Sequence, residues 1–328
     1  MIPEKLKTGD EVRIIAPSRS MVILGEDCKK IATERLEALG LKVTFGKYVM
    51  EADDDYMCAS VEHRVEDLNE AFRDKNVKAI LTVIGGFNSN QILDYIDYET
   101  IKENPKIFCG FSDITALSNA IHTKTGLVTY SGPHYSSFGM VKGFEYELEY
   151  FKKMFFQENE FEVESSKEWS DDLWFIDQEN RELIPNDGMY IINEGTAEGD
   201  IVGGNLCTLN LLQGTEYMPN IEGKVLFLED DNMAGKIYLM EFDRNLQSLI
   251  HTKEFKNIKA IVLGRNQKGC EMTKEKWTKM IKNKPELKNI PVIAGADFGH
   301  TTPIFAFPIG GHAKLEAING KIKLLIKG

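Results

Sequence analysis

An α/β fold built on a parallel sheet is what this sequence predicts. Two observations predict it: apolar runs of strand length, and stretches of helical period that separate them in a βα rhythm over the first half of the chain. Strands that are apolar along their whole length need both faces covered, and helices placed between successive strands supply that cover.

The elements follow in order. "EVRIIAP" (11–17) is an apolar strand, and "CKKIATERLEALG" (28–40) has helical spacing and ends in a glycine stop. "LKVTFG" restarts a strand. "VEHRVEDLNEAFRD" (61–74) is amphipathic, "VKAILTVIGG" (77–86) is a nearly continuous buried strand, "NSNQILDYI" (88–96) a short helix and "KIFCGF" a further strand. From about residue 160 the character changes: "EVESSKEWSDDLWFIDQENRELIPNDG" is charged, aromatic and weakly periodic, as expected of a linker or binding loop. We therefore expect units at 1–160 and 196–328 joined by a segment at 161–195. Beyond the boundary lie "GDIVGGNLCTLNLLQGT" (199–215), strands at 224–231, 258–265 and 290–297, and a helix at 235–250. The tail "HAKLEAINGKIKLLI" reads as a hairpin turning at Asn319-Gly320.

With 328 residues the chain has ample capacity for a core and for an enzyme site. Acidic residues outnumber basic ones 51 to 39, a formal charge of −12, which argues against a nucleic-acid or anionic-membrane partner and for a small molecule or peptide. The five cysteines are odd in number and scattered without a C-x-x-C pair, so neither a disulfide framework nor a structural zinc is expected. No stretch of about 18 apolar residues occurs and the N-terminus lacks the apolar core of a signal peptide, so the expected setting is the cytoplasm.

Turns that leave the carboxyl edge of a parallel sheet are where ligands bind. Ser112 follows one strand, Glu229 ends another, and His300 follows a third. A hydroxyl becomes a useful nucleophile at neutral pH when a base takes its proton and an acid orients that base, and Ser, His and Glu supply those roles. "GFSDI" matches the first three positions of the G-x-S-x-G nucleophile elbow, with Ile114 in place of the last glycine. The same residues also read as a helix cap, with Ser112 as N-cap and Asp113 in the first turn, and local sequence favours the cap. Glu229 heads the run Glu229-Asp230-Asp231, which alone suggests a solvated loop or a magnesium ligand. His134 competes with His300 as a base but has the weaker strand-end context. Cys109 reads as a small buried hydrophobe. "IGGFNSN" (84–90) is either a tight turn capped by Asn88 or Ser89 or a cradle of N–H groups for an anion.

Taken together, "IGGFNSNQIL", "NPKIFCGFSDIT", "GDIVGGNLCTL", "VLFLED" and "DFGHTTP", in this order and spanning most of the chain, resemble the LD-carboxypeptidase family of serine peptidases, and most of all its microcin C self-immunity branch. The resemblance implies a Rossmann-like N-terminal domain carrying the nucleophile and a β-rich C-terminal α/β domain carrying Glu and His, with the active site between them. It implies Ser112 as nucleophile, His300 as base and acid, Glu229 as its orienting partner, and oxyanion donors at Asp113 and Gly86 or Gly85, without a metal or cofactor. Where murein-recycling members carry Arg-Gly-Gly-Tyr-Gly, this chain has Ile84 in place of Arg and Phe87 to Asn90 following, which favours an aminoacyl-nucleotide substrate over murein tetrapeptide. Trp174 is implied as the residue stacking on a purine, with Trp169 and Phe175 as neighbours and Asn88, Ser89, Asn186 and Arg181 as polar contacts; the alternative for Trp174 is an anchor for its own loop. A homodimer is implied by the resemblance alone. The competing readings are a murein tetrapeptide LD-carboxypeptidase and a non-catalytic small-molecule binding protein.

Overall fold

A computed structural model describes residues 1–328, the whole chain. Two mixed sheets organise it. The first has six strands in the spatial order Phe307–Ile309, Thr129–Ser131, Ile107–Cys109, Val77–Thr82, Glu11–Ile15, Lys42–Phe45. All its neighbours pair in parallel except Phe307–Ile309, which runs antiparallel to Thr129–Ser131. Val77–Thr82 is buried at every position but Lys78, as a central strand covered on both faces must be. Helices Glu26–Ala38, Val61–Arg73 and Thr115–Thr125 lie between successive strands, each within two or three residues of the expected bounds where one was expected.

The second sheet has eight strands, in the order Phe161–Glu162, Lys321–Lys327, His312–Ile318, Gly195–Asn205, Val225–Glu229, Ala260–Gly264, Val292–Ala296, Tyr190–Asn193. The long strand Gly195–Asn205 serves two systems. Its first half pairs antiparallel with His312–Ile318, and its second half pairs parallel with Val225–Glu229. The C-terminal hairpin forms as expected, with Asn319 and Gly320 both at positive φ, the conformation a tight two-residue turn requires.

Three features depart from the sequence expectations. Phe307–Ile309, far along the chain, closes the edge of the first sheet. Segment 88–96 is a 3-10 helix (Ser89–Tyr95), too short and too tightly wound for an α-helix. The charged segment after residue 160 is not a free linker: Glu168–Trp169 pairs with Ile184–Pro185, and Ser170 bridges Thr302, so the stretch is pinned to the turn that follows Val292–Ala296. Apolar side chains from both sheets, among them Val12, Cys109, Phe227 and Phe307, pack into one cluster, which fixes the two sheets against each other. No helix is long and apolar enough to cross a membrane.

Candidate active site

Ser112, Glu229 and His300 converge from three turns that are 71 to 188 residues apart in sequence. His300 Nε2 lies 2.9 Å from Ser112 Oγ, and His300 Nδ1 lies 2.7 Å from Glu229 Oε2. The backbone of Ser112 sits at φ 61, a left-handed conformation that a non-glycine residue adopts at a cost of ~1–3 kcal/mol. Its side chain makes no capping bond. A 3-10 turn (Ser112–Ile114) opens the segment, and the α-helix begins only at Thr115, so the elbow geometry, rather than the cap, describes Ser112.

Glu229 ends a strand whose five residues are all buried, and it is itself 4% exposed. It is therefore no solvated loop residue. Gly299, at φ 108, passes so close that a Cβ there would stand 2.7 Å from Glu229 Oε2, so the turn carrying His300 can reach over the carboxylate only as glycine. Burial by itself disfavours the charged imidazolium of His300. The charge and hydrogen bond of Glu229, with Asp231 and Asp230 behind it, outweigh that and raise the His300 pKa above the usual imidazole value.

Asp113 takes a part its cap reading did not contain. Its buried carboxylate accepts from Ser18 Oγ (2.6 Å) and from the N–H groups of Asn88 (3.0 Å) and Ser89 (2.9 Å), and so clamps the glycine loop to the serine turn. Gly85 is held against Ser112 as a result: a Cβ on it would lie 2.9 Å from Ser112 Cβ and 3.0 Å from Oγ. The N–H groups of Gly86 and Asp113 find no acceptor in the protein.

A cavity of about 220 Å³ opens beside these groups, lined by Ser112, His300, Gly85, Arg19, Trp174 and Phe175 among others. Trp174 is partly buried, packs on the main apolar cluster and meets Phe175 edge-on at 5.9 Å, so it both anchors its loop and presents a face to the cavity. The remaining polar residues expected at the site lie elsewhere. Asn88 and Ser89 are buried in the clamp: Asn88 Nδ2 reaches Cys58 Sγ, and Ser89 Oγ donates to the Asp113 carbonyl. Asn186 donates to Ser166 Oγ and faces Asp297, while its carbonyl accepts from Arg265; it does not line the cavity. Arg181 is spent on Asp172, and Trp169 carries the Arg265 guanidinium on its ring face. His134 is buried with Nδ1 on Thr82 Oγ1 (2.8 Å) and makes no hydrogen bond to Ser112. Cys109 is fully buried and its thiol is pushed far up by desolvation. Among residues that sequence reasoning passed over, Arg19, Glu147, Thr301 and Gln267 line the cavity. No group of three or more His, Cys, Asp or Glu side chains converges as metal ligands would.

A hydroxyl hydrogen-bonded to an imidazole that a buried carboxylate orients, with free N–H groups beside it, is the equipment of an acyl-transfer hydrolase. The chain belongs to the LD-carboxypeptidase family: residues 12–132 match its N-terminal domain and residues 198–315 its C-terminal domain. It is 53% identical to the putative carboxypeptidase YocD of Bacillus subtilis over 99% of both chains. It is 33% identical to a probable murein peptide carboxypeptidase of the same organism, over 96% of this chain and 91% of that one. Its fold superposes on the crystal structure of an MccF-like protein from Bacillus anthracis with a TM-score of 0.98 at 56% identity, covering 100% of this chain and 99% of that one. It also matches the microcin C7 self-immunity protein MccF in complex with aspartyl sulfamoyl adenosine, with a TM-score of 0.86 at 29% identity over 100% and 98% of the two chains.

Proposed function

We propose that the protein is a serine-type carboxypeptidase or amidase that cleaves the amide bond between an aminoacyl group and a nucleotide-like moiety. The observation that carries this reading is the unbroken relay Ser112 Oγ, His300 Nε2, His300 Nδ1, Glu229 Oε2 on a strained serine turn. Ser112 Oγ attacks the carbonyl carbon while His300 Nε2 takes its proton. Glu229 holds the imidazole by Nδ1 and stabilises the imidazolium that forms. The charge on the carbonyl oxygen is met by the N–H of Asp113 and that of Gly86 or Gly85, each donor worth ~2.7–4 kcal/mol in the transition state. His300 passes its proton to the leaving nitrogen, leaving an ester on Ser112. Water then attacks the ester, its proton goes to His300, and Ser112 Oγ recovers that proton as the acid departs.

The substrate class rests on two supports. Ile84 stands before the glycine pair, where the murein-recycling members it resembles carry arginine. The exposed apolar edge of the pinned loop, Leu173 and Phe175 beside Trp174, suits a flat base better than a flexible peptide. Trp174 then stacks on the purine. The test is a hydrolysis panel of aspartyl- and glutamyl-sulfamoyl adenosine and murein tetrapeptide, with wild type and Ser112→Ala. Wild type is expected to cleave the sulfamoyl adenosines and Ser112→Ala neither of them. Cleavage of tetrapeptide alone overturns the substrate class, and full activity in Ser112→Ala overturns the mechanism.

A further inference from the structure

Buried polar atoms are almost always hydrogen-bonded, so buried atoms without partners point to a ligand when they gather in one place. Glu147 Oε2, His134 Nε2 and Thr301 Oγ1 are buried and have no partner, and all three residues line the cavity that holds Ser112. The other unpartnered side-chain atoms, such as those of Ser118 and Asn193, belong to residues away from it.

Each of the three is held where it is by something else. Glu147 lies in the first turn of helix Glu145–Phe156, on the same inward stripe as Tyr150, Phe151 and Met154, where the helical period calls for an apolar residue. Its Oε1 accepts from the Ile304 N–H at 3.3 Å. The nearby guanidinium groups do not satisfy Oε2: Arg35 donates to the carbonyls of Phe138 and Met140, and Arg181 to Asp172 and the Lys142 carbonyl. His134 packs tilted against Phe111, with ring centroids 4.4 Å apart, and Phe111 in turn meets His300 edge-on at 5.5 Å. Thr82 Oγ1 lies within reach of both the Cys109 carbonyl (3.3 Å) and His134 Nδ1 (2.8 Å); with its proton on the carbonyl it accepts from Nδ1–H, the tautomer in which Nε2 is an acceptor. Thr301 follows His300 directly in the chain.

A carboxyl group, an imidazole acceptor and a hydroxyl match a ligand group that brings several protons and a positive charge. We propose that Glu147, His134 and Thr301 form the subsite for the free α-amino group of an aminoacyl substrate, an inference that rests on reading Ser112 as the nucleophile of an amide-cleaving site. The acidic cast of this wall agrees with it. Asp171 and Asp172 also line the cavity, and each is already matched by a basic partner, Lys268 and Arg181 respectively, so Glu147 is the acid left for a ligand. Desolvation pushes the Glu147 pKa up to about 8, so the carboxyl keeps its proton until an ammonium faces it, and the site carries no uncompensated buried charge in the meantime.

The test is calorimetric titration of the Ser112→Ala protein with two ligands: aspartyl sulfamoyl adenosine, and succinyl sulfamoyl adenosine, which differs only in lacking the amine. The inference predicts that the amine improves affinity by about 10- to 100-fold, the range of a buried charge-assisted bond. Adding Glu147→Gln should bring the ratio of affinities close to one, and adding Thr301→Val should reduce it by a smaller factor. Equal affinities in Ser112→Ala, no binding of either ligand, or a ratio unchanged by Glu147→Gln would each overturn the inference. If Glu147→Gln does not fold, Thr301→Val decides, and an unchanged ratio there overturns it. Discrimination between the ligands without any turnover by wild type would instead break the proposed reaction and leave the amine subsite standing.

Discussion

The two walls of the cavity are built on opposite principles. On the wall of Ser112, Glu229 and His300, Ser112 Oγ, both imidazole nitrogens and Glu229 Oε2 have partners within the protein, and the glycine loop is clamped in place by Asp113. On the wall of Glu147, His134 and Thr301, polar atoms are buried and left without partners. The first wall is preorganised for chemistry, the second is incomplete until a ligand completes it. Substitutions on the first wall should therefore act on rate, and those on the second or on the pinned loop should act on binding.

The largest expected effect is Ser112→Ala, which should lower kcat by ~10⁴-fold or more with melting temperature little changed, measured by sulfamoyl adenosine release and thermal denaturation. Next comes Glu229→Gln, expected to cost ~10²–10⁴-fold in kcat/KM. Its pH profile sharpens the comparison further. His300 must be neutral to take the Ser112 proton, so kcat/KM rises as pH rises through the His300 pKa. Because Glu229 raises that pKa, removing its charge should move the rising limb to lower pH even as the plateau falls. A limb that stays in place would mean Glu229 does not set the state of His300. Gly85→Ala brings a Cβ to 2.9 Å from Ser112 Cβ, and the expected cost is ~10–10²-fold in kcat through displaced oxyanion donors. The smallest effect belongs to Trp174→Ala, which should raise KM for sulfamoyl adenosines about tenfold, the worth of one stacked base, and leave kcat within a small factor. A kcat collapse in Trp174→Ala would erase the distinction between the regions.

Much of the fold was legible because its signals are local. Continuous apolar strands such as Val77–Thr82 and the Asn319-Gly320 turn announce themselves within a few residues. Ser112, Glu229 and His300 were legible as polar residues at three strand ends, although the residues around Ser112 favoured a cap over an elbow; what decides is a φ of 61 and a histidine 188 residues away. What stayed hidden depends on distant contacts with no local period. Strand Phe307–Ile309 is three residues long and pairs with Thr129–Ser131 across the chain. Asn186 sits in a loop whose polarity suggested a substrate contact, but Asp297 and Arg265 claim it. Glu147 could have been noticed as a carboxylate on the apolar stripe of its helix, and only the fold reveals that the stripe's first position faces the cavity.

The central claim is that Ser112 is a nucleophile activated by His300, and reaction with a fluorophosphonate followed by intact-mass and peptide mapping tests it most directly. The account predicts one adduct, on Ser112, formed slowly in Glu229→Gln and absent in Ser112→Ala. An adduct at another residue, or no adduct on a wild-type protein that hydrolyses its substrate, would contradict it.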